Sequence, residues 1–134
     1  MRVANKDARK SVNNLDRFTG SNIFAVDDVF FPSDEDTKSV LTDQHGYSGY
    51  ENLYIVYSYG YHFPMYIYDR QAGIWIGSKD SYSSSTTRHQ SQCRPSDLAS
   101  IEDGGCWLNT ADEMKEYIRC GSLMKYMEIK AKVA

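Results

Sequence analysis

Thr86, Thr87, Arg88, His89, Gln90, Gln92 and Arg94 fall within one short stretch, "YSSSTTRHQSQCRP", at residues 82–95. Arginines and hydroxyls are the usual donors to phosphate oxygens. Glutamine reads base edges or pairs with backbone groups. A polar loop of this make-up can grip a phosphodiester or a nucleotide. The same residues can instead fold back on their own backbone as a run of turns and caps. Which holds depends on whether Arg88, His89 and Arg94 point outward or lie against the rest of the chain.

Catalytic chemistry would need His89 paired with Cys93 or His62, base beside nucleophile, with a third group orienting the base. A two-histidine hydrolase or nuclease built on His62 and His89, with Arg88 steadying a phosphate, is the corresponding enzyme alternative. Nothing in the spacing requires it. The chain has no G-x-S-x-G, no paired-carboxylate motif and no phosphate-cradling glycine loop. Its three cysteines (93, 106, 120) and three histidines (45, 62, 89) form no zinc spacing. No catalytic residue, metal ligand or cofactor is therefore assigned.

A second candidate surface comes from aromatic residues. Tyr54, Tyr66, Tyr68 and Trp75 fall on one face of the central strands, where they could stack bases. Core packing beneath a C-terminal helix is the plainer reading of the same four. The acidic stretch from Asp27 to Asp43 could mimic nucleic acid toward a host protein or equally keep the chain soluble.

The elements that must position these residues are partly legible. With 134 residues, 41% apolar and 25% charged, the chain fits a single soluble domain. "NLYIVYSYG", "HFPMYIYD" and "IWIGS" read as three strands joined by glycine-bearing turns, an antiparallel meander over 50–78. Alternation puts Phe63, Met65, Ile67 and Asp69 on one face of the second. Pro64 lacks a donor and should begin its strand or lie at an edge. "SNIFAVDDVFF" reads as an earlier strand. In "CWLNTADEMKEYIRCG", Asn109 or Thr110 caps a helix, Met114, Tyr117 and Ile118 form its apolar stripe, and Gly121 stops it. Alternation in "YMEIKAKV" favours a last strand. Residues 1–17 form a basic, mobile segment, and residues 32–50 a long acidic loop. The expected fold is α+β: an antiparallel sheet of four to five short strands with one C-terminal helix packed on it.

The net charge of −3 makes a whole-protein case for nucleic acid weak, though a local basic patch remains compatible with it. No apolar run approaches the roughly 20 residues of a membrane span. Three irregularly spaced cysteines fit reduced thiols in a cytoplasmic protein.

"VYSYGYHFPMYIYD", the tryptophan strand and "SKDSYSSSTTRHQSQCRP" together resemble a family of small uncharacterised proteins from bacteriophages and related mobile elements. "FTGSNIFA" and the threonine-capped helix are also similar. The resemblance covers about residues 18–26 and 53–121. It departs at residues 32–50, at Ser81 where a lysine is usual, and at Ser85. It implies a phage-type accessory protein working in a bacterial cytoplasm and brings no established activity. The expected function is non-enzymatic binding of a host macromolecule, with inhibition of a host or defence protein foremost. The alternative is a nucleic-acid or nucleotide module using residues 85–94.

Overall fold

The computed structural model describes residues 2–27, 52–80, 84–98 and 106–133, and the acidic stretch at 32–50 lies outside them. The chain opens with a 3-10 turn, Asn5–Asp7, and helix α1, Ala8–Asn13. Strands β1 (Phe18–Thr19), β2 (Ile23–Val26), β3 (Leu53–Ser58), β4 (Pro64–Asp69) and β5 (Ile74–Ser78) follow. Helix α2 (Ser84–Cys93) then leads to β6 (Cys106–Leu108), α3 (Ala111–Cys120) and α4 (Leu123–Val133).

The fold is α+β, as the pattern of elements implied. All six strands form one open sheet in chain order, β1 to β6. Every pairing is antiparallel except β5 with β6, which is parallel. A parallel pair needs a crossover, and α2 lies within that connection. The sheet thus has one strand more than the four to five expected, and it is mixed.

Helices cover both faces of the sheet, not one. Ala8 and Val12 of α1 and Cys93 of α2 pack with Tyr54, Val56, Tyr66 and Trp75. Met114, Tyr117 and Ile118 of α3 and Tyr126 of α4 pack with Leu53, Ile55, Tyr57, Ile67 and Ile76 on the other side. A strand covered on both faces needs no solvent side, and all six residues of β3 are buried. The aromatic quartet is accordingly packed. Tyr54, Tyr66 and Trp75 are buried and Tyr68 half-buried, under α1 and α2 instead of a C-terminal helix.

Two local expectations are corrected. The strand expected at the C-terminus is helix α4. Its methionines, glutamate, lysines and alanine favour a helix, Ser122 Oγ accepts from Lys125 N at 3.2 Å, and Tyr126 packs on Tyr117 with ring centroids 5.1 Å apart. Strict alternation along β4 also fails. Val56 pairs with Tyr66 but Tyr57 pairs with Pro64, so Met65 is an extra residue in a bulge. Phe63 and Met65 therefore join the α1/α2 face, whereas Ile67 stays on the α3/α4 face.

Other expectations hold. β4 begins at Pro64. Thr110 caps α3 by accepting from Glu113 N at 3.1 Å, and Gly121 ends it at φ 80°. Side chains of the basic N-terminal segment bond to residues farther along the chain. Asn5 and Ser21 exchange hydrogen bonds of 2.8 and 2.9 Å, as do Asn13 and Ser96 at 2.9 Å each.

Candidate functional site: the two faces of helix α2

Ser84–Cys93, within the stretch expected to be a loop, form a helix, and the helix divides the candidate residues between two faces. Thr86, His89, Gln90 and Cys93 recur at i, i+3, i+4 and i+7 and are buried. Ser84, Thr87, Arg88 and Ser91 have the same spacing two positions earlier and are exposed. Gln92 and Arg94 are half-buried.

The inward row is polar, so its burial costs stability unless hydrogen bonds compensate. They do. His89 Nδ1 lies 2.7 Å from Ser58 Oγ, at the end of β3. Gln90 Nε2 donates to the carbonyls of Ser78 at 3.2 Å and Asp80 at 2.7 Å, at the end of β5. Burial, with the charge of Arg88 adding to it, holds the His89 pKa below its ordinary value, so the ring is neutral near neutral pH. Burial pushes the Cys93 thiol up to about 12, with Arg9 pulling weakly the other way. A thiol so protonated is no nucleophile.

Two carbonyls at the C-terminal end of α2 accept from side chains of two other elements. The last four carbonyls of a helix lack intrahelical partners. Tyr66 OH donates to the Gln90 carbonyl at 2.6 Å, and Arg9 Nη2 donates to the Ser91 carbonyl at 2.8 Å. Burial raises the Tyr66 phenol to about 12, against the lowering effect of its hydrogen bond from Arg94. Arg94 also stacks over Trp107, 5.6 Å from the ring centroid. The ring in turn lies against Gly77, where a Cβ would come within 2.5 Å of it.

Beside the helix, the β3–β4 turn carries Tyr59. This residue has φ 67°, the left-handed region that a tyrosine occupies only at a cost. Its amide donates to the Asn22 carbonyl at 2.7 Å. The residue is 51% exposed, and its ring stands 5.2 Å from the His89 ring. His62 is exposed on the same turn.

The pairing that chemistry would need is present in part and shut away. A serine hydroxyl against a histidine is the geometry of an activated nucleophile. Here Ser58 has 0% exposure and His89 6%, so no substrate atom reaches the hydroxyl. Among the described residues, no group of three histidine, cysteine or acidic side chains is gathered to hold a metal. No helix among them is long and apolar enough to cross a membrane.

Sequence reasoning missed Ser58, Tyr59, Arg9 and Trp107 as parts of this region. "SYG" marks a turn but not the direction of its side chains, and Arg9 lies 82 positions from the carbonyl it caps. It also missed Asp69, which is fully buried. Its carboxylate accepts from Asn52 Nδ2 at 2.7 Å, Ala72 N at 3.0 Å, Tyr117 OH at 2.6 Å and Leu123 N at 2.8 Å. Burial alone would raise its pKa, but these four donors outweigh it and the net shift is downward.

Against known proteins, no family model, curated protein or solved structure gives a significant match to this chain.

Proposed function

We propose that this chain is a non-enzymatic binding protein, a phage-type accessory factor acting on a host macromolecule, with the outward face of α2 as its contact surface. A single observation carries the reading: the helix spends its histidine, glutamine and cysteine on the sheet and leaves Ser84, Thr87, Arg88 and Ser91 exposed. Polar groups buried and bonded in this way hold a scaffold together, and a rigid scaffold can present an outer row to a partner. The hydrolase alternative is not favoured, because His89 is engaged with a fully buried serine while His62 stands on an exposed turn. The phage origin rests on the resemblance of the "YSYG" and "TTRHQSQ" pieces. Inhibition of a host or defence protein is one form that such binding can take in that setting.

The test is capture from a bacterial lysate with tagged wild type beside tagged Arg88→Glu. The expected result is a stoichiometric macromolecule recovered by the wild type and lost on charge reversal. Equal recovery by both proteins, or background alone from the wild type, would overturn the proposal.

A further inference from the structure

Charge is unevenly distributed between the layers. Segments 2–17 and 84–98, which include α1 and α2, carry seven basic residues against three acidic ones. The rest of the chain carries eight basic and fifteen acidic residues. A molecule of net charge −3 therefore has a basic helical layer on one side of its sheet. Within that layer Lys6, Arg9, Lys10 and Arg88 are exposed, as are the acidic groups Asp7, Asp16 and Asp97.

The layer is focused near one point. The bond from Arg9 to the Ser91 carbonyl fixes a guanidinium against the outer row of α2. Arg88 is three residues from Ser91, about 4.5 Å along the helix axis. His89, next to Arg88, touches the Tyr59 ring. Two guanidiniums and a row of hydroxyls thus lie on or against the outer row of α2, and the half-exposed Tyr59 flanks the helix through its contact with His89. Tyr59 keeps that position against its backbone preference, and a non-glycine residue held at positive φ is a cue to function.

We infer that the outward face of α2, flanked by Tyr59, binds single-stranded nucleic acid, with Arg88 and Arg9 on phosphates and the Tyr59 ring under a base. The inference rests on reading this face as the contact surface, and it names the partner. Guanidiniums and hydroxyls match phosphate oxygens. An unpaired base offers a π-face to a tyrosine, whereas a base within a duplex has its faces already stacked. An acidic protein surface would use the arginines equally well but gives the exposed ring at Tyr59 no specific role. Charge complementarity together with the ring therefore favours the single strand.

Fluorescence anisotropy of a labelled, mixed-sequence single strand of about 20 nucleotides, and of its duplex, tests this. The wild type should bind the single strand more tightly than the duplex at low salt. Affinity should fall with salt at a log–log slope of about −0.7 for each phosphate engaged. Arg88→Glu should weaken binding and flatten that slope by about one contact. Tyr59→Gly removes the ring and relieves the backbone, so it should keep or raise the unfolding midpoint while weakening binding roughly tenfold. No binding at low salt, or a Tyr59→Gly protein that binds as the wild type does, would overturn the inference. If Arg88→Glu still loses a protein from the lysate capture while no oligonucleotide binds, this inference falls and the contact surface stands. If neither experiment responds to Arg88, both fall.

Discussion

His89 shows how a residue type misleads when its surroundings are unknown. In the sequence it is the most chemically suggestive group of the chain. In the structure it is a neutral ring holding a helix to the sheet through Ser58. Its lowered pKa carries a pH signature. The unfolded chain binds a proton below about pH 6.5, and the folded chain resists doing so until lower pH. Stability should therefore decline as the pH falls from about 6.5 toward the folded value. Urea midpoints across that range should show the slope, and His89→Gln, which keeps an acceptor for Ser58, should reduce it. Cys93 and Cys106 differ in the same manner, one buried with a raised pKa and the other exposed. An alkylating reagent near pH 8 should label Cys106 in the native protein and reach Cys93 only on unfolding. Peptide mapping distinguishes the two. None of this was readable from residue identity, because a pKa shift is a property of burial and neighbours.

Among the elements, legibility followed the kind of force holding each one. The strands of the meander and α3 are held by apolar burial at periods of two and 3.6, and both patterns stood out in the sequence. Helix α2 is different. Its buried face is Thr86, His89, Gln90 and Cys93, so hydropathy has no stripe to detect. What makes it a helix is a set of distant partners: Ser58, Ser78 and Asp80 for its side chains, Tyr66 and Arg9 for its end. Helix α4 failed for a related reason, since alternation in "YMEIKAKV" suits a strand as well as its composition suits a helix. The bulge at Met65 broke the period locally, and no turn residue announced it. Two substitutions test this level. Gly77→Ala would drive a Cβ into the Trp107 ring, and it should cost about 1–3 kcal/mol with a shift in tryptophan emission. Tyr66→Phe leaves the Gln90 carbonyl without its phenol, and it should cost about 1 kcal/mol in chemical denaturation.

Over the whole molecule, two layers of helices give the two faces of the sheet different chemistry. The α3/α4 side is pinned by Asp69, a fully buried carboxylate that joins Asn52, the β4–β5 turn, Tyr117 of α3 and the start of α4. Because its pKa is lowered on folding, its stabilising effect is present above the ordinary carboxylate value, about 3.9, and is lost as the pH falls through the folded value. Asp69→Ala should cost about 1–3 kcal/mol at neutral pH, since it strands the Tyr117 hydroxyl. It should also remove part of the protein's sensitivity to acid. The α1/α2 side carries the positive charge that the overall balance of −3 concealed. A net charge averages over surfaces, and only the fold shows that segments 2–17 and 84–98 lie together.

We propose a division of labour within helix α2, the inner row holding the fold and the outer row meeting a partner. Urea unfolding of Arg88→Glu beside His89→Ala separates the two rows. Arg88→Glu should unfold within about 0.5 kcal/mol of the wild type, as an exposed substitution does. His89→Ala, which leaves the buried Ser58 hydroxyl without its ring, should lose about 1–3 kcal/mol. An Arg88→Glu protein destabilised as much as His89→Ala would contradict the claim, because the outer row would then belong to the fold.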